Sequence, residues 1–485
     1  MNSLWQHLTL SSFPLRSWWN ASFVHRLVGP LRQWRRSSRL LRHADLLGAI
    51  LVSVVFGLGP FLPNAIIGLL LAACGIYWLL LTLSDPAADA GEWTAKSEEA
   101  RSPDGDAPPL TTPIHVLVLL YWGVVTIATA FSPVKAAAFV GWQKLTLYLL
   151  FFALMARVLR FPKLRNLVIA SYLLAALAVS VYGLQQWFSG TAALATWVDP
   201  TSPLSKTTRV YSYLGNPNLL AAYLIPAVIF SIMALFTWQR WLPRLLALVM
   251  VGVNATCLVM TFSRGGWIGI VVALFVTVLL LAYWWSIYLP RFWRTLALPL
   301  MVGGFVGAMA IAVVAVPTLR DRASSIFVGR GDSSNNYRIN VWMSVIQMIK
   351  DHPLLGIGPG NVAFNKIYPL YQRPRFSALS AYSIVLEVAV EAGLIGLTCF
   401  LWLLLVIFTQ GLSQLAKLRK IGDRQGFWLI GAISTLLGML GHGLFDTVLY
   451  RPEASTLWWM MIALVASYYT YPSTPQYAKE YELKD

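Results

Sequence analysis

Ionisable residues are rare in the apolar stretches of this 485-residue chain, and most of those that occur fall into five clusters. The first is Arg209-Val-Tyr-Ser-Tyr-Leu-Gly-Asn-Pro-Asn218. Gly-Asn-Pro-Asn marks a turn into a helix, with Asn216 or Asn218 as its cap. A helix start attracts anions, and Arg209 beside it adds a fixed positive charge. The second is Ser263-Arg264-Gly-Gly-Trp267. Arg264 offers a planar fork suited to phosphate or carboxylate, or it snorkels to headgroups. The glycines admit another backbone or a ligand.

The third cluster runs from Gly329 through Arg338 and continues to Gly356-Ile-Gly-Pro-Gly-Asn361, which includes Gly358 and Gly360. No strand–turn–helix unit surrounds those glycines, so they read as an ordered cap and not a nucleotide loop. The fourth is Glu387 and Glu391, one helical turn apart. Such a pair does acid–base work, holds a proton or cation, or neutralises nearby arginines. The fifth is His442 and Asp446, also at i, i+4, either a carboxylate orienting a catalytic histidine or a structural pair. Lys144 is the main charge placed deep in an apolar run. Cys74, Cys257 and Cys399 lie in apolar runs with no metal or redox spacing, so neither metal nor cofactor is expected.

The elements that must position these residues follow from composition. Hydrophobic residues make up 57% and charged residues 12%, about half the usual charged share of a soluble domain. This excludes a disordered, coiled-coil, collagen-like or cytosolic protein and predicts an all-α polytopic membrane protein. Apolar runs long enough to cross a bilayer recur near 45–62, 64–84, 113–131, 136–156, 166–186, 218–238, 243–262, 265–287, 295–316, 380–410, 427–447 and 455–471. About twelve transmembrane helices result.

With the N-terminus inside, the inner segments carry 23 of the 37 Lys and Arg. Eight of the thirteen outer ones lie in a single long loop, which the positive-inside rule exempts. Both termini are therefore expected in the cytoplasm. The net charge of +17 is mostly topology set against membrane lipids, with no need for nucleic acid.

The organisation expected is a basic N-terminus (1–44), spans 1–2 (45–84), an acidic disordered linker (85–112), spans 3–9 (113–316), a large outer loop (317–379), spans 10–12 (380–471) and a tail (472–485). In the outer loop, Ile339, Trp342, Ile346 and Ile349 recur at helical spacing, so Arg338–Lys350 reads as an amphipathic helix.

The outer clusters, taken in order, resemble the O-antigen ligase and polymerase superfamily of bacterial inner-membrane proteins over about residues 115–470. The resemblance rests on the Arg209–Asn218 segment, Ser-Arg-Gly-Gly-Trp, the Asn-Tyr-Arg-x-x-Val-Trp to Gly-x-Gly-Pro-Gly-Asn loop, and Leu386-Glu-x-x-x-Glu391-x-Gly393. Arg-Val-Tyr-Ser-Tyr-Leu-Gly-Asn-Pro-Asn, Asp-Ser-Ser-Asn-Asn-Tyr-Arg and Gly-His-Gly-Leu-Phe-Asp-Thr-Val-Leu-Tyr-Arg-Pro-Glu-Ala-Ser are closer still to a cyanobacterial branch linked to inorganic-carbon accumulation and named for bicarbonate transport. The superfamily resemblance implies metal-independent, inverting transfer of a glycan from a polyprenyl diphosphate carrier at the periplasmic face. Arg209 and Arg264 match the two arginines that hold the diphosphate, and Arg338 joins them as an anion ligand.

The family's loop histidine falls where this chain has Tyr382, an unsuitable base at neutral pH. Tyr382, Glu387, Glu391, His442 and Asp446 are thus the candidate catalytic residues. Three functions stand: a glycan ligase or polymerase, a bicarbonate transporter or accessory, and a glycan- or lipid-binding protein without catalysis.

Overall fold

The computed structural model describes residues 2–10, 30–38, 43–85, 111–190, 209–315, 320, 333–447 and 449–470. Among them there is no strand. The helices are α1 (Ala44–Leu58), α2 (Asn64–Leu83), α3 (Pro113–Ala130), α4 (Lys135–Val158), α5 (Pro162–Ser189), α6 (Pro217–Thr237), α7 (Trp241–Met260), α8 (Arg264–Trp285), α9 (Arg291–Ala315), α10 (Ser333–Asp351), α11 (Asn361–Ile367), α12 (Ile384–Ile421), α13 (Gly426–Gly443) and α14 (Pro452–Ser467). Short helices at Asn2–Leu8 and Arg32–Ser37 precede them.

Local chemistry sets many boundaries. Proline occupies the first helical position of α3, α5, α6 and α14, where its missing N–H costs nothing. Gly190 and Gly422, both at φ 68°, close α5 and α12 in the left-handed conformation.

Ten helices, α1–α8, α12 and α13, are long and apolar enough to cross a membrane. The other two expected spans are helical but are not among those ten. Helix α14 has 16 residues, about 24 Å at 1.5 Å per residue, short of a hydrocarbon core of about 30 Å. Helix α9 carries Pro299 within its 25 residues.

Helices α6 and α13 are almost wholly buried and form the centre of the bundle. Helix α13 packs against α6, α8, α12 and α14, and α3 and α4 flank α12 and α14. All three cysteines are free and buried.

The helix expected at Arg338–Lys350 extends further, starting at Ser333. The tenth span begins at Ile384 and runs 38 residues, well past residue 410. Residues 86–110 of the expected linker lie outside the described residues. Asp85, at its start, belongs to the bundle: it takes both terminal nitrogens of Arg157 at 2.7 Å, and Asp45 adds a third contact at 3.3 Å. A bidentate carboxylate is the partner a buried guanidinium requires.

Candidate functional site

Asn216 caps α6, accepting the N–H groups of Asn218 at 2.8 Å and Leu219 at 3.3 Å. That leaves the Asn218 side chain to accept from Arg209 Nη2 at 3.1 Å, while Arg209 Nε donates to the Thr261 carbonyl at 3.0 Å. The Val210 N–H also bonds Met260 at the end of α7. Arg209 is thus pinned between the start of α6 and the end of α7. Burial pushes its guanidinium down to about 10; Asp446 opposes this, and Arg264 and Arg338 add to it. It remains charged at neutral pH, and the other two arginines lie within electrostatic reach.

Arg264 is the first residue of α8. Ser263 caps that helix, its Oγ accepting the Gly266 N–H at 3.1 Å. Phe262 before it holds φ 49°, an uncommon conformation for a bulky residue that sharpens the turn out of α7. The glycines that follow serve helix packing. A Cβ on Gly269 would lie 2.7 Å from the Gly438 carbonyl oxygen, and one on Gly438 would lie 2.6 Å from Ala273 Cβ. Helices α8 and α13 therefore meet backbone to backbone, as small residues allow in membranes. Of the two glycines directly after Arg264, Gly266 faces the Ala221 side chain on α6, where an added Cβ would lie 2.4 Å from Ala221 Cβ. The α8–α13 contact brings His442 against Gly265, whose added Cβ would sit 3.3 Å from His442 Cδ2.

His442 is buried, with Nδ1 lacking a hydrogen-bond partner. Its Nε2 is 3.9 Å from Asp446 Oδ2, an ionic contact longer than a hydrogen bond. Asp446 Oδ1 accepts the Thr447 N–H at 2.7 Å. Burial pushes the Asp446 carboxyl up, but His442, Arg338 and that N–H pull it below its ordinary value.

Arg338 comes from α10. Its Nη1 donates to Ser334 Oγ at 2.7 Å, and its Nε is buried with no partner. Tyr382 stands in the left-handed region at φ 48° and packs edge-on against Tyr337, ring centroids 6.0 Å apart. Burial, Tyr337 and Asp446 raise its phenol well above the ordinary value. Tyr382 can donate a hydrogen bond but cannot accept a proton as its own phenolate. The Ser380–Thr447 hydrogen bond ties its segment to that of Asp446.

Arg209, Arg264, Arg338, Tyr382, His442 and Asp446 thus gather at one end of the bundle. Glu387 and Glu391 do not join the arginines directly. They line a cavity of about 100 Å³ with Lys144, Tyr121, Tyr450 and Asn361. Tyr450 donates to Glu391 Oε1 at 2.6 Å, while Glu387 Oε2 is buried without a partner.

Gly358 and Gly360, at φ 95° and 93°, seat their loop on α4: a Cβ on Gly360 would lie 2.7 Å from Gly141 Cα. Both glycines therefore pack the loop closely onto the bundle. The charge cluster Arg157–Asp85–Asp45 and the Tyr450–Glu391 bond were not foreseen. Their partners are 59 to 112 residues apart and share no local pattern.

Residues 253–401 match the family described as O-Antigen ligase. The matched segment runs from within α7 into α12, and so holds Arg264, Arg338, Tyr382, Glu387 and Glu391. No curated protein matches the chain.

Proposed function

We propose that this multi-pass membrane protein of the O-antigen ligase superfamily transfers a glycan from a polyprenyl diphosphate donor to a hydroxyl acceptor. The observation that supports it is a charge imbalance. Arg209 feels two guanidiniums, Arg264 and Arg338, and one carboxylate, Asp446. Three positive charges against one negative in a half-buried site suit a dianion, and a diphosphate spans the reach of more than one fork.

In this reading the arginines hold the diphosphate and take up the charge that grows on it as the glycosidic bond breaks. The acceptor oxygen attacks the anomeric carbon from the opposite face, inverting it. The acceptor proton passes to the His442–Asp446 pair, because Tyr382 stays protonated. Tyr382 orients by donation. The lipid tail of the donor lies in the bilayer beside α8. The positive charge count supports both termini in the cytoplasm, which in a bacterial inner membrane puts this site at the periplasmic face.

The test is reconstitution with a polyprenyl diphosphate sugar and a candidate acceptor. Arg264→Ala is expected to lower transfer by about 100-fold or more, the usual cost of losing a charge-stabilising donor. Equal transfer by wild type and Arg264→Ala overturns the assignment. So does labelled bicarbonate uptake into proteoliposomes with no transfer, which supports the transport alternative. Donor binding without turnover supports a carrier-binding role.

A further inference from the structure

The end of the bundle opposite Arg264 holds a second positively charged feature. There α6 and α8 finish and α7 and α13 begin, around a cavity of about 440 Å³. Its walls include Arg244, Arg424, Trp284, Trp285, Tyr288 and Phe427, and none of its lining residues is acidic. Arg244 Nε donates to the Trp238 carbonyl at 2.7 Å, which fixes the guanidinium plane at the start of α7. Asp423, next in sequence to Arg424, accepts the Gln425 N–H at 2.9 Å. The first N–H groups of α13 are already bonded to the carbonyls of Asp423, Arg424 and Gln425, so the positive charge here comes from the two guanidiniums.

Two features separate this cavity from a general anion site. Tryptophan and tyrosine line it, the residue types that settle at headgroup depth. The helix turn that carries Arg244 also exposes Trp241, Leu242 and Leu245, a surface suited to hydrocarbon and poorly suited to water.

We propose that this cavity binds the phosphate headgroup of an anionic phospholipid. Arg244 and Arg424 take the phosphate, the aromatic wall covers the glycerol, and the acyl chains run along the exposed face of α7. The site is independent of the proposed glycan site, since α8 separates the two by 22 residues, about 33 Å.

Native mass spectrometry of the full-length protein in detergent tests it, with phosphatidylglycerol and phosphatidylcholine of matched chains and with inorganic phosphate. Phosphatidylglycerol is expected to bind wild type at least about tenfold better than phosphatidylcholine. Arg424→Gln should weaken it about fivefold and Arg424→Lys should largely restore it, as a headgroup-level charge predicts. Arg424 is exposed, so an unchanged melting temperature will show that both variants fold. Equal binding of the two lipids, or full binding by Arg424→Gln, overturns the proposal. Displacement of the lipid by equimolar inorganic phosphate overturns the lipid assignment in favour of a free-anion site. Glycan transfer in Arg424→Gln should stay at the wild-type level, so the two assignments fail separately.

Discussion

Gly269→Ala isolates the helix contact that builds the arginine site. The added Cβ would lie 2.7 Å from the Gly438 carbonyl oxygen, 2.7 Å from Ile225 Cδ1 and 3.0 Å from His442 Cβ. Ile225 can swing aside. The Gly438 carbonyl belongs to the backbone of a buried helix and cannot, so α8 and α13 must separate by several tenths of an ångström. Overpacking of this kind costs about 1–3 kcal/mol, and the better helix propensity of alanine returns at most about 1 kcal/mol. The separation falls beside His442, on the helix that begins at Arg264. A shift approaching 1 Å between groups that must act together costs about 100-fold in rate. Gly252→Ala is the control, because nothing lies within 4 Å of its Cβ position. Melting curves and initial transfer rates of both variants are the assay. Gly269→Ala should melt a few degrees lower and lose most transfer, while Gly252→Ala does neither. If the two variants match wild type in both measurements, the α8–α13 contact does not set the site.

Asp85→Asn should destabilise the protein by about 3 kcal/mol, the low end for breaking a buried pair, because Asp45 still reaches Arg157 at 3.3 Å. Chemical denaturation in detergent measures it. Asp446 has a folded value below its ordinary 3.8. Its share of stability is therefore complete above that value and is lost as the pH falls through the lowered one. Asp446→Asn should flatten the acid side of a melting-temperature profile and leave the neutral range nearly unchanged in slope. Tyr450→Phe removes the hydroxyl that Glu391 accepts at 2.6 Å, and an intramolecular hydrogen bond is worth about 0.5–1.5 kcal/mol net. A melting temperature equal to wild type would refute that role.

The helical class and ten of the twelve spans were legible because apolar run length is a local property. So was a cap at the start of α6, where the pattern offered Asn216 or Asn218 and Asn216 takes the role, since caps announce themselves within four residues. Local pattern also put Glu387 and Glu391 on one face, but it could not say which face of the bundle they meet. The ionisable positions were all named, yet their grouping was not. Arg338 reaches Asp446 across 108 positions of sequence through packing that no spacing encodes. Asp85 reads as the first residue of a polar linker, and only the fold shows it against Arg157. Gly265 and Gly266 after Arg264 are a further case. Their presence signalled a close approach, and only the structure shows that His442 of α13 lies against Gly265 and Ala221 of α6 against Gly266.

The break in α12 explains how the two carboxylates and the arginine end are held in one frame. Gly393 leaves the helical conformation at φ 68°, ψ −172°. A Cβ there would lie 2.1 Å from the Leu354 carbonyl oxygen, so no other residue fits. The break strands four backbone groups that must be satisfied inside a membrane. The loop after α10 supplies each partner. Ile357 N–H donates to Val390 and Gly358 N–H to Glu391, at 2.8 and 3.0 Å. In return, the Leu394 and Ile395 N–H groups donate to Pro353 and Leu354, at 2.8 and 3.4 Å. The loop therefore completes the helix, and neither is satisfied without the other. Because α10 ends two residues before Pro353, the position of Arg338 is tied through this exchange to the turn that carries Glu387 and Glu391. The end of α10 and the turn of α12 that carries Glu391 are thus held in one backbone frame.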